Sequence, residues 1–150
     1  MLELLSISFI FTSLAKIVLI TITNLILGFT WYSPIGFQKQ WIKAMRWNEE
    51  DVCKAHDECS SIPYIMSNLG ALLSSILLNI LLTAFNIRKH QYLSAMLASL
   101  ILCGFYAFNG WNRVFFTKKS DYKCQRTLYF IENGLVFIRY ALISLVLVSF

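Results

Sequence analysis

The residues best able to do chemistry in this chain are polar ones set inside apolar runs. Asn24, Asn109, Asn112, Glu132, Asn133 and Arg139 fall in stretches otherwise rich in Leu, Ile, Val, Phe and Ala. Polar groups are costly in hydrocarbon. They face a bundle interior or water and mark ligand or ion paths, or they simply hydrogen-bond one helix to another. Asn24, Asn109, Asn112, Glu132 and Asn133 are expected in the same half of their spans, and with Arg139 they make up a candidate polar cavity. Arg139 is the most expensive of them, about 16 Å along a straight helix from Leu128. Glu132 lies seven residues earlier on nearly the same helical face, and the arginine side chain leans towards it, so a Glu132–Arg139 polar axis is expected.

No catalytic residue is assigned. Glu132 has no nucleophile or metal set beside it, and the chain has no Gly-rich phosphate loop, no His-Glu-x-x-His and no triad arrangement. Cys53, His56 and Cys59 are spaced by three and roughly share a helical face. Zinc would need a fourth ligand, and the spacing matches no closed metal motif, so neither a metal nor a cofactor is expected. With inverted topology the loop cysteines would instead be disulfide candidates. Cys103, inside an apolar run, reads as a small packing residue.

The elements that position these residues follow from composition. The chain has 150 residues, is 57% hydrophobic and only 14% charged, whereas a soluble domain carries about a quarter charged residues. About 20 apolar residues cross about 30 Å of hydrocarbon, and four runs are long enough. The expected fold is all-α: an integral membrane four-helix bundle forming one transmembrane domain over residues 1–150. Its spans are placed at about 8–31, 62–85, 93–116 and 128–150, and a short interfacial amphipathic helix follows the first. Four such runs leave too little polar surface for a soluble globule. The leading Met1-Leu2-Glu3 carries no cation, which argues against a cleaved signal peptide over Leu4–Ala15. In the second span, Ser67, Ala71 and Ser75, beside Gly70 and Ser74, form a small-residue face suited to close helix packing.

The first span ends at Trp31-Tyr32-Ser33-Pro34. The aromatic pair suits the headgroup layer, and the residue before proline leaves the α region. Phe37, Trp41 and Met45 then recur every four residues among Gln and Lys, the pattern of a helix lying in the interface. Trp31, Tyr32, Pro34, Phe37, Trp41 and Trp47 are therefore expected to be interfacial anchors. Asn48 can cap a second short helix with Glu49, Glu50 and Asp51 in its first turn.

Loops 32–61 and 112–127 carry nine Lys and Arg, and the loop between the second and third spans carries two. The positive-inside rule puts loops 32–61 and 112–127 in the cytoplasm of a multi-pass cell-membrane protein, with both termini on the opposite side. The cations are split between loops and flank the spans, which excludes a nucleic-acid surface. The expected partner is the lipid bilayer, with a second copy or a partner membrane protein where four helices alone are too few.

The run Gly28-x-x-Trp31-Tyr32-Ser33-Pro34, then Phe37-x-x-x-Trp41 and Glu49-Glu50-Asp51, resembles small bacterial membrane proteins of domain-of-unknown-function family 1761. Asn112-x-x-Phe115-Phe116 and Ile131-x-Asn133-Gly134 resemble that family's second signature. The glycine before Phe37, Leu135 in place of a usual tyrosine and a longer amino-terminal extension depart from it. The resemblance implies a four-helix membrane fold and no established activity. The expected function is that of an interaction or structural membrane component. The alternative is a small transporter or ligand-binding protein whose polar cavity opens to the cytoplasm. An enzyme is the least supported class. The discriminating question is whether the polar residues line one cavity or sit in separate helix contacts.

Overall fold

The computed structural model describes residues 7–57 and 61–150. Cys59 and the start of the Leu4–Ala15 segment lie outside the described residues. The chain is all-α, in the order α1 (Ile7–Trp31), α2 (Gln38–Met45), α3 (Glu49–Asp57), α4 (Ile62–Ala84), α5 (Tyr92–Gly110), α6 (Asn112–Phe115) and α7 (Tyr122–Ser149). Four stretches are long and apolar enough to cross a membrane: Ser13–Trp31, Tyr64–Ala84, Tyr92–Phe115 and Tyr122–Ser149. Their outer faces carry large exposed apolar side chains such as Ile26, Ile76, Ile101 and Phe105. That is the surface a multi-pass membrane protein presents to lipid, which needs no polar cover.

The centre of the bundle is α7, which packs against α1, α2, α4 and α5. Its tightest neighbour is α5, whose buried residues are Ala95, Ser99, Cys103 and Ala107. Their four-residue spacing makes a smooth stripe on which α7 lies close. Ser99 and Ser144 face each other across this seam at 3.5 Å, and each also donates to a carbonyl of its own helix. The small-residue face expected on the second span is present on α4. Ala71 and Ser75 are buried, and Ser74 Oγ lies 2.9 Å from the Tyr140 hydroxyl of α7.

Away from α2, one end of the bundle is sealed by a cluster of Ile20, Ala71, Leu78, Leu82, Ala95, Ile143 and Val148. The opposite end is organised by the short helices. A tight reversal follows α1, in which Phe37 N–H donates to Trp31 O at 2.8 Å and Gly36 N–H to Ser33 O at 2.9 Å. A Cβ at Gly36 would collide with the carbonyl oxygens of Thr30 and Trp31, so this reversal requires glycine. Beyond it, α2 turns back onto α7, buries Ala44 and ends at Arg46, whose φ is 59°. The Arg46 guanidinium then reaches Asp121, at the start of α7. Asn48 caps α3 as expected, and the cap is reciprocal. Asp51 N–H donates to Asn48 Oδ1 at 2.8 Å, and Asn48 N–H donates to Asp51 Oδ2 at 2.9 Å.

One span boundary differs from the sequence expectation. The last helix begins at Tyr122 rather than near 128. Its first turns are covered by α2, so they need not be apolar. The third span, Tyr92–Phe115, matches the expectation and runs through Trp111, whose backbone stays in the right-handed helical region between α5 and α6. There the indole packs on Tyr129 at 4.6 Å and on Phe130 at 5.7 Å.

Candidate functional site

Along α1 the small polar positions of the inner face lead to Asn24, which is only 4% exposed. Its Nδ2 donates to Asn68 Oδ1 on α4 at 2.9 Å, and Asn68 Nδ2 in turn donates to Tyr64 O at 2.9 Å. Asn24 Oδ1 is buried and has no partner among the described residues. Across from it on α7, the Arg139 guanidinium extends towards α4, with Nη2 3.4 Å from Ser67 Oγ. Arg139 Nε is the other buried polar atom with no partner. Both residues line one cavity of about 610 Å³ between α1, α4 and α7. Ile131 stands level with Trp31 at the end of α1, so Arg139 lies about 12 Å further into the bundle at 1.5 Å per residue.

The roof of this cavity is aromatic. Tyr32, Trp41 and Trp47 line it beside Glu132. The Tyr32 and Trp41 ring centroids are 5.8 Å apart at 70°, and those of Trp41 and Trp47 are 5.0 Å apart at 75°. Burial pushes the Tyr32 phenol above its ordinary pKa; Glu132 adds to this and Arg139 opposes it. The phenol therefore lies within electrostatic reach of both charges.

The expected Glu132–Arg139 pair is not formed. Among the described residues the ion pairs are Arg46–Asp121 and Lys54–Glu50, both in the short-helix region. The seven-residue separation leaves about 10 Å of rise. Arg139 resolves it by turning to Ser67 on α4, while Glu132 stays exposed at the cavity wall.

The six candidate cavity residues do not share one space. Asn24, Glu132 and Arg139 line the roofed cavity. Asn109 and Asn133 line a second one of about 350 Å³ on the other side of α7, with Glu132 on the wall between the two. The Asn133 amide donates to Tyr129 O of its own helix at 2.8 Å. Asn112 is exposed and lines neither. Asn109 is exposed as well, and Val114, seven residues beyond Ala107, continues the buried face of α5 through Trp111.

The aromatic anchors are also distributed in an unforeseen way. Pro34 is exposed at the reversal, and Phe37 is partly covered by Trp31, their ring centroids 4.6 Å apart. Trp31 instead wedges against α7. Its Nε1 donates to Ile131 O at 3.0 Å, and a Cβ at Gly134 would sit 3.0 Å from its Cζ2. Tyr32, Trp41 and Trp47 belong to the cavity. Sequence reasoning missed this because an interfacial belt and a cavity roof use the same residue types at the same depth. It also missed Tyr129, whose hydroxyl donates to Ala107 O at 2.5 Å.

The contact between Trp31 and Ile131–Gly134 joins the two segments that carried the family resemblance. The family model described as "Protein of unknown function (DUF1761)" matches residues 15–148. The chain belongs to this family. No curated protein and no solved structure matches it. Membership in DUF1761 brings no activity with it, so the chemistry rests on the geometry. Among the described residues, no group of three His, Cys, Asp or Glu is gathered as a metal site would require. In this DUF1761 protein Cys53 is exposed, Cys103 buried and Cys124 half-buried, each as a free thiol. What the roofed cavity offers is a guanidinium, three carboxamide side chains, a carboxylate and five aromatic side chains.

Proposed function

We propose that this protein is a membrane-embedded binding protein whose roofed cavity takes a small anionic group on Arg139. The observation that carries this is that Arg139 and Asn24, each with a buried side-chain atom lacking a partner among the described residues, line the same cavity. A purely structural role accounts for the Asn24 amide with Asn68, a hydrogen bond that holds two helices together, and for the Asn133 amide, which is satisfied by Tyr129 O of its own helix. It does not account for Arg139. A guanidinium inside a span costs at least about 2.5–3.5 kcal/mol on insertion scales. A serine hydroxyl at 3.4 Å compensates little of that. An anion held against the fork would compensate it, because charge-assisted bidentate contacts to carboxylate or phosphate are strong and planar.

The roofed end carries the nine basic loop residues, and the opposite end carries Arg88, Lys89 and Lys16, which lies within electrostatic reach of Lys89. The positive-inside rule therefore supports a cytoplasmic roof. Two measurements test the reading. Titration of the purified chain in a nonionic detergent with a short-chain phosphatidic acid should change the tryptophan emission, since Trp41 and Trp47 line the cavity. Arg139→Gln should weaken binding by about tenfold or more. Equal binding by wild type and Arg139→Gln would remove the site. In intact cells, an impermeant thiol reagent should leave the exposed Cys53 unmodified. Efficient labelling would place the roof outside.

A further inference from the structure

The cavity carries two opposite charges, and they are spaced apart. Glu132 and Arg139 sit on nearly the same face of α7, separated by about 10 Å of rise, and both line the same walls without pairing. A simple anion seated on Arg139 would meet the unneutralised Glu132 carboxylate on its way in. A ligand that satisfies both groups carries an anion at its deep end and a cation at its roof end.

The roof is built for a cation. Tyr32, Trp41 and Trp47 meet nearly edge to face, so their rings form two perpendicular walls of a corner lining the cavity. Aromatic faces attract ammonium groups, and a carboxylate alongside adds direct charge pairing. Glu132 lines the same cavity as Tyr32, Trp41 and Trp47, so a carboxylate accompanies the aromatic corner. Arg139 is the one Lys or Arg among the residues lining this cavity, so no protein cation there competes for Glu132. On the side of α1 and α4, the wall continues through Leu25 and the stacked pair Phe29–Tyr64, whose centroids are 5.3 Å apart. Phe29 and Tyr64 are both exposed on the flank of the bundle. An apolar tail attached to the ligand could leave the cavity there into lipid.

We propose, resting on the anion-binding reading above, that the cavity recognises an aminophosphate zwitterion, with its phosphate on Arg139 and its ammonium between Glu132 and the Tyr32–Trp41–Trp47 corner. A zwitterionic lipid headgroup and a free aminoalkyl phosphate share this chemistry. The full chain, purified in a nonionic detergent, would be titrated with four probes: dihexanoyl phosphatidylethanolamine, dihexanoyl phosphatidylglycerol, free phosphoethanolamine and inorganic phosphate. Tryptophan emission and calorimetry read the binding. The aminophosphates are expected to bind about tenfold more tightly than the amine-free probe matched to each. Glu132→Gln and Trp41→Leu should abolish that preference, and Arg139→Gln should weaken all four probes. Arg139→Lys, which keeps the charge, should recover part of the affinity and so separates lost charge from lost fold. Preference for the lipid over free phosphoethanolamine assigns the source to the membrane; equal affinity assigns it to a soluble compound, and either upholds the zwitterion. Arg139-dependent binding with no preference for the amine, or a preference that survives Glu132→Gln, would overturn it while leaving the anion site standing. Absence of binding by every probe would overturn both.

Discussion

The two sides of α7 solve the same problem in opposite ways. Towards α5, the partner stripe is Ala95, Ser99, Cys103 and Ala107, all small and all buried. The helices meet closely, and their polar contacts along the stripe are the Tyr129 hydroxyl on Ala107 O and the Ser99–Ser144 approach, in which both serine hydroxyls are already satisfied by their own helix. Towards α1 and α4, the facing residues are Asn24, Ser67, Asn68 and Arg139. Their bulk and polarity hold the helices apart around about 610 Å³. One side is a seam along Ala95–Ala107, opening only towards the short helices into the smaller space beside Asn109 and Asn133, and the other is a container. In a membrane, water drives neither contact, so the size and polarity of the side chains decide which forms.

The comparison is broken most severely by putting bulk into the seam. Ala95 is fully buried between α5 and α7. Ala95→Leu should destabilise the protein by about 3 kcal/mol, because close-packed interfaces do not absorb three extra heavy atoms without backbone shifts. Ser67→Leu on the container side should cost much less. Denaturant unfolding in mixed micelles measures both. Similar costs at the two sites would mean that the container is as tightly packed as the seam.

The next effect sharpens the container. Arg139→Met removes a half-buried cation that has no carboxylate within ion-pair distance among the described residues. Without ligand it should raise stability by about 1–3 kcal/mol while removing anion binding. Because Glu132 and Arg139 do not pair, a double-mutant cycle between Glu132→Gln and Arg139→Met should give a coupling below about 0.5 kcal/mol in ligand-free protein. A larger coupling would restore the direct pair that the geometry lacks.

These features were unequally legible in the sequence. The four spans, the exit at Trp31–Pro34 and the Asn48–Asp51 cap were readable because each depends on residues a few positions apart. Asn24 was recognised as a bundle-facing residue for the same reason: an amide in hydrocarbon has few other places to go. What could not be read was which helix each polar group meets. Arg139 was matched to Glu132 because both lie on one helix, but the nearer hydroxyl belongs to Ser67, 72 residues away in the chain. Asn112 was grouped with Asn109 by helical periodicity; both are exposed, but Asn109 alone of the two lines the space beside Asn133. Trp41 and Trp47 were assigned to lipid because nothing local signals that α2 folds back over α7.

That fold-back depends on Trp31, which holds the α1 exit against α7. Trp31→Phe keeps most of the ring but loses the Nε1 hydrogen bond to Ile131 O, and should cost about 1 kcal/mol. Gly134→Ala should cost a similar amount, because its Cβ would sit 3.0 Å from the indole. The two changes touch the same contact, so their costs should fall short of additive by a measurable margin. Strict additivity in unfolding experiments would show that Gly134 matters for some reason other than the indole.

The smallest effect concerns the tie between α2 and α7. Asp121 accepts from Ser120 and from Arg46, and these contacts hold its carboxyl below the ordinary value of 3.8. A carboxyl whose pKa is lowered by folding stabilises the native state when ionised in both states. That contribution is complete above the unfolded value and is lost as pH falls through the folded one. The window therefore opens below about pH 4 and leaves neutral pH untouched. Both partners are solvent-accessible, so salt should screen the tie. Thermal unfolding of wild type and Asp121→Asn, compared at neutral pH and low salt, should show a small deficit in the variant. The deficit should shrink as salt is added, and it should vanish in acid, where the wild-type carboxyl is itself protonated. The Trp41 and Trp47 emission should move with it, because loosening α2 loosens the cavity roof. A deficit that persists unchanged in acid would mean that Asp121 acts through its hydrogen bonds as an N-terminal residue of α7 and not through charge on Arg46.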